Sequence, residues 1–227
     1  MKVKLNSSAP HLHPATEWRQ SAVNGEAFIL YESSDGAVEV GIRRWQQGTS
    51  GFFCKRDVLC YFQLGRGIFR RDSGESIEVA LGTAVHFKQN WSGVLEALGP
   101  LEATYMACDG GPAPETPVLR SVLNAAPLND WGAIPTMIEG TSHTAGILLS
   151  REPGGRAESG IWTCTPGTWR CEVTADEYCH FLDGSCTYAH ESGECIEIEP
   201  DSLAFFPVDW KGTCKVRRTM RKVYMIR

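Results

Sequence analysis

Glu177 stands in "DEYCHFLDG" (176–184), a carboxylate inside a run of aromatic and thiol side chains. If that run is a strand, alternate residues share one face, and Glu177 falls with Cys179 and Phe181. The same parity groups Trp169, Cys171 and Val173 in "TWRCEV" (168–173), and Cys214 and Val216 in "TCKV" (213–216). A carboxylate in such surroundings titrates above the ordinary range unless a cation pairs with it. Glu177 is therefore the candidate catalytic residue, as general acid or base or as the acceptor of a ligand amine. A structural carboxylate bonded to backbone or to a nearby Tyr or Trp fits the same residues. A thiolate-rich metal cage from Cys171, Cys179, Cys214 and Glu177 is a third reading, but their spacing matches no zinc pattern.

Around Glu177 the candidate ligand-binding residues are Trp162, Trp169, Cys171, Cys179, Trp210, Lys211 and Cys214. Lys211 is placed at the mouth of a barrel to meet an anionic group, with a solvated lysine as the alternative. His180, one residue from Cys179, faces the other way and reads as a surface or interface histidine. "HLH" at 11–13 has the look of a ligand pair but lies in an N-terminal arm rather than a strand.

The elements that must carry these residues are written twice. At an offset of 119 residues "GIRRWQQGTSGFFCKRDVLCYFQLG" (41–65) lies over "GIWTCTPGTWRCEVTADEYCHFLDG" (160–184) without gaps. "SGESIEV" (73–79) lies over "SGECIEI" (192–198), and "FKQNWSG" (87–93) over "FPVDWKG" (206–212). Matches at one fixed offset, falling on turns and apolar anchors, mark a duplicated unit. Trp210 recurs as Trp91, so it reads first as a packing residue. Within each copy "AVEVGIRRW" and "KVYMIR" are rich in strand formers, and turn signals such as "SSDG" and "ESGE" recur at short intervals. The class is all-β, a sandwich or barrel. The boundaries read as an arm at 1–24, barrel 1 at 25–108, a linker at 109–143 and barrel 2 at 144–227. The linker is rich in Pro, Gly and Ala, with one short helix expected near 117–126.

The 227-residue chain carries a formal net charge of −5, which gives no reason to expect nucleic acid. No apolar run approaches membrane-spanning length, and the first residues lack the apolar centre of an export signal, so the expectation is a cytoplasmic protein without membrane contact. Nine cysteines, an odd number with no CxxC pair, read as reduced core residues rather than a disulfide framework. Left open are a small-molecule ligand and a homodimer.

The second copy resembles a cupin, through "GIWTCTPGTWR" (160–170), "DEYCHFLDG" (176–184), "ESGE" (191–194), "FFPVDWKGT" (205–213) and "RKVYMI" (221–226). More narrowly it is similar to the subfamily named for the (S)-ureidoglycine aminohydrolase cupin domain, which includes ethanolamine-utilisation cupins. The sequence departs from that pattern at "EPDS" (199–202) and at Cys214. The resemblance implies two tandem double-stranded β-helix (jelly-roll) barrels, a bicupin. It also implies a metal site of His-x-His, a glutamate and a later histidine. Those positions fall here on Cys171, Val173, Glu177 and Gly212, and in the first copy on Phe52, Cys54, Val58 and Gly93. The histidines are absent from both, so no metal and no other cofactor is expected. The expectation is a metal-independent protein that binds or transforms a small, nitrogen-containing molecule in the second barrel, the first being chiefly structural. A non-catalytic accessory protein and an atypical thiolate-ligated metalloenzyme are the alternatives, and whether the protein is an enzyme is left open.

Overall fold

The computed structural model describes residues 2–5, 19–21, 25–110, 119–122, 127–152 and 157–227. Regular structure among them is entirely strand. The chain divides into two compact units. The first barrel comprises 11–126 with 152–156; the second comprises 1–10, 127–151 and 157–227.

In chain order, β1 (Lys2–Leu5) belongs to the second barrel. The first barrel then holds β2 (Arg19–Ser21), β3 (Gly25–Glu32), β4 (Val38–Trp45), β5 (Gly48–Phe53), β6 (Asp57–Leu64) and β7 (Arg66–Arg70). It continues with β8 (Ser76–Ala80), β9 (Thr83–Phe87), β10 (Ser92–Ala97), β11 (Leu101–Cys108) and β12 (Leu119–Val122). Two sheets, ordered β12-β9-β6-β11-β4-β3-β2 and β5-β10-β7-β8, face each other across its core. The second barrel adds β13 (Asn129–Ala133), β14 (Met137–Glu139), β15 (His143–Arg151), β16 (Glu158–Cys164) and β17 (Gly167–Glu172). It closes with β18 (Glu177–His190), β19 (Cys195–Ile198), β20 (Ser202–Phe206) and β21 (Lys211–Ile226). Here one sheet runs β1-β20-β18-β21-β16-β15-β13, with β17 and β19 hydrogen-bonded to β21 and β18.

The duplication shows in local geometry. Cys54 N donates to Trp91 O and Val173 N to Trp210 O, both at 2.9 Å. Tyr105 OH donates to Glu39 Oε1 and Tyr224 OH to Glu158 Oε1, both at 2.5 Å. Gly65, with φ of 82°, sits where the chain passes from one sheet to the other, and Gly184, with φ of 93°, at the equivalent bend within β18. A Cβ would lie 2.1 Å from Pro100 O at the first and 2.4 Å from Met220 Cα at the second, so only glycine fits these corners. In the second barrel β18 and β21 run through the corner as single strands of 14 and 16 residues. In the first barrel the same lengths are broken into β6–β7 and β10–β11.

The segments read as arm and linker contribute strands. β1 pairs parallel to β20, β2 antiparallel to β3, β13 to β15 and β14 to β17. The helix expected near 117–126 is not formed: residues 119–122 are strand β12, paired to the edge of β9. Backbone pairing with an open strand outweighed a weak local helix preference. "HLH" at 11–13 lies outside the described residues. No helix among the described residues is long and apolar enough to cross a membrane.

The core of the first barrel is a packed set of rings. Phe52 lies 4.9 Å from Phe69 and 4.8 Å from Phe87, and Phe87 lies 5.1 Å from Trp91, centroid to centroid. At offset 119 these residues become Cys171, Tyr188, Phe206 and Trp210. Tyr188, Phe206 and Trp210 keep the stack, at 4.7 and 5.3 Å. The ring supplied by Phe52 is reduced to a thiol.

Candidate functional site

That lost ring lies on the wall of a cavity of about 330 Å³ in the second barrel, lined by Trp162, Trp169, Cys171, Glu177, Tyr188, Lys222, Tyr224 and, at the rim, Trp131. Glu177 opens β18, opposite Phe206 of β20 and Ile226 of β21. Lys222 lies on β21, facing Phe181 of β18 and Trp162 of β16 in register. Parity along β21 sends Met220, Lys222 and Tyr224 to the same inner side, where Met220 and Tyr224 join the core.

Lys222 Nζ donates to Glu177 Oε1 at 2.6 Å and to Cys179 Sγ at 3.3 Å. The Cys179 thiol points at the same carboxylate oxygen, at 3.4 Å. The ammonium also lies 4.9 Å from the centroid of the Trp162 ring, within cation–π range. Burial by itself would push Lys222 down; Cys179 and Glu177 beside it more than offset this and hold it above the ordinary lysine value. The Cys179 thiol is itself held well above its ordinary value, first by burial and then by Glu177, so it stays neutral and the stabilising anion is the carboxylate. Burial, then Glu177, likewise pushes Cys171 up to about 12. The lumen therefore presents protonated thiols, which are poor nucleophiles.

The sequence reading placed Trp162, Trp169, Cys171 and Glu177 together, and they do line one cavity. Cys179 and Cys214 face the same lumen but are fully buried in its wall. Trp210 is a core residue packed edge-on against Tyr188 and Phe206 and does not line the cavity, and Trp91 packs edge-on in the first barrel. Lys211 does not reach Glu177. It is half-exposed, pairs with Glu172 at 2.9 Å, and lines an adjoining cavity of about 660 Å³ that shares Trp169, Cys171 and Glu172 with the first. His180 faces away from the lumen but is not a surface residue: it is fully buried, with Nε2 3.8 Å from Asp201 Oδ1. Trp131, Tyr188, Tyr224 and above all Lys222 were missed. The signal for Lys222 is in the repeat, since Ala103 becomes Lys222 at the same offset that turns Val58 into Glu177.

The residues do not fit the metal that the resemblance would bring. Cys171, Val173, Glu177 and Gly212 offer one anionic oxygen donor, and its Oε1 already holds an ammonium. Among the described residues no three His, Cys, Asp or Glu side chains converge as a ligand set.

Two facing curved sheets, strands β18 and β21 continuous through a glycine corner, and a cavity at the mouth of one barrel now stand together. The chain has the cupin fold. Residues 151–224 match the model of the EutQ-like cupin domain. A Pseudomonas syringae protein of unknown function from the DUF861 family is similar in structure, with a TM-score of 0.78 at 12% identity over 93% of both chains. A cupin 2 conserved barrel domain protein from Leptotrichia buccalis gives 0.66 at 10% identity, over 96% of this chain and 99% of its own. The E. coli protein Ylba, also of the DUF861 family, gives 0.62 at 12% identity, over 96% and 87%. No curated protein matches the chain in sequence.

Proposed function

We propose that this cupin protein uses its second barrel as a small-molecule site centred on Glu177 and Lys222, without a metal. One observation carries this reading: a carboxylate on the wall of a 330 Å³ cavity, held 2.6 Å from a buried ammonium. Cavities of this size, mostly apolar with a few convergent polar groups, are the usual form of ligand sites. The resemblance to ureidoglycine-type and ethanolamine-utilisation cupins directs the reading toward nitrogen-containing ligands such as ureides or amino alcohols. Lys222 keeps its proton at neutral pH and so acts as a fixed positive charge and donor rather than as a base. Glu177 supplies the acceptor. The first barrel, whose equivalent positions are Val58 and Ala103, serves as scaffold.

Glu177→Gln tests this, because it keeps the shape and removes the charge. Ligand binding or turnover should fall at least tenfold, the scale of a hydrogen bond to a charged group, measured below the lowered unfolding transition of a variant whose Lys222 has lost its anion. Unchanged binding would leave the barrel without a chemical centre and favour the accessory-protein reading.

A further inference from the structure

The cavity's tryptophans pack on the core and the barrel wall but leave their ring faces unstacked. In the first barrel Trp45, Trp91 and four phenylalanines contact one another ring to ring. In the second barrel Trp131, Trp162 and Trp169 line the cavity, and among the described residues none of the three contacts another aromatic ring. Trp162 meets only the Lys222 ammonium by ring contact. Trp131 lies with its ring edge over Gly146, where a Cβ would come within 2.5 Å of it, and is 41% exposed at the rim. Unstacked indoles around an apolar space suit a flat π-system.

The polar edge of the cavity is equally specific. Both contacts to Glu177, from Lys222 and from Cys179, go to Oε1. Oε2 takes no partner among the described residues and is not sealed from solvent. An ammonium carries three N–H donors, and Lys222 gives one to Glu177 and one to Cys179. One acceptor and one donor are thus left on a pair whose charges cancel, and Glu172, the other carboxylate of the lining, is paired with Lys211. The Tyr224 hydroxyl does not compete, because its proton is given to Glu158 Oε1 at 2.5 Å. A cationic ligand that reached Oε2 would meet the Lys222 ammonium, and an anionic ligand that reached Nζ would meet the carboxylate. A neutral group with an N–H next to a C=O meets neither penalty.

We propose that the second barrel binds an uncharged, planar nitrogen heterocycle by its lactam edge. The ring N–H donates to Glu177 Oε2, the carbonyl accepts from Lys222 Nζ, and the ring lies among the three tryptophans. The cavity has room for about one or two fused rings, at the low end of ligand-site volumes. This rests on Glu177 and Lys222 being the ligand centre and narrows it to one chemical class.

The test is a ligand-detected NMR titration of the full chain with four probes: 2-quinolinone, N-methyl-2-quinolinone, ethanolamine and methylurea. 2-Quinolinone should bind saturably, N-methylation should weaken it at least tenfold, and the two small acyclic probes should bind more weakly still. Glu177→Gln should weaken 2-quinolinone at least tenfold and its N-methyl analogue, which meets only Lys222, by less. The blocked analogue tests the edge on the unaltered protein, whatever the variant does to folding. Equal binding of 2-quinolinone and its N-methyl analogue would overturn the lactam edge. Glu177-dependent binding of ethanolamine or methylurea without 2-quinolinone would overturn the heterocycle and leave the Glu177 site standing. No saturable, Glu177-dependent binding of any probe would overturn both.

Discussion

The two barrels share glycine corners, the backbone bond to the tryptophan carbonyl and the tyrosine–glutamate bond, yet among the described residues one lumen is packed with rings and the other holds a cavity. Position by position at offset 119, Ser50 corresponds to Trp169, Phe52 to Cys171, Val58 to Glu177 and Ala103 to Lys222. In the first barrel Phe52 fills the centre, touching Phe69, Phe87 and Trp91. In the second, the thiol at the same place leaves space, and a carboxylate and an ammonium meet across β18 and β21. Burying either charge alone would be costly, whereas the pair is tolerable because each neutralises the other. The difference teaches that one ring decides whether the centre is filled, and that the polar groups of the open barrel stand there as a matched pair.

The largest effect should come from breaking that pair. Lys222→Met leaves Glu177 without its cation and should destabilise the second barrel by about 3 kcal/mol. Adding Glu177→Leu should recover most of this, because no buried charge then remains. Urea unfolding of both variants checks it, and additive losses would show that the two residues are not coupled.

His180 sharpens the comparison next, since the first barrel has Tyr61 at that place. Burial lowers the His180 pKa from 6.5 to about 4, only partly countered by Asp201. Between those values the unfolded chain binds the proton that the folded chain refuses. Stability is therefore full above about pH 6.5 and falls as the pH drops toward 4. His180→Tyr should flatten that slope, measured as the unfolding midpoint at pH 7 and at pH 4.5. An unchanged slope would assign the acid sensitivity elsewhere.

Cys171→Phe installs the ring of the first barrel. It should occupy the cavity and weaken 2-quinolinone binding at least tenfold. Because the space already exists, the cost in stability should stay under about 1 kcal/mol. Retained binding would place the ligand outside this cavity. The smallest effect belongs to Lys211→Ala, whose ammonium is paired with Glu172 in solvent. Neither the unfolding midpoint nor 2-quinolinone binding should change; a loss of binding would move the site toward the neighbouring cavity.

Most of the frame was legible in the chain because it is local or periodic. The offset of 119, the corner glycines Gly65 and Gly184, and the strand parity of Trp169, Cys171, Glu177 and Cys179 are all linear features. The absence of histidines at 171, 173 and 212 is likewise a matter of residue types at aligned places. What the chain could not state is which strands lie side by side. Glu177 and Lys222 are 45 residues apart and meet only because β18 and β21 are neighbours in one sheet. The strand at 119–122, the pairing of β1 with β20 and the burial of His180 depend on the same kind of lateral contact. Parity along a strand determines which side a residue faces, but only the assembled sheet decides what it faces there. Partner choice between distant strands is a property of the whole core and not of any local run of residues.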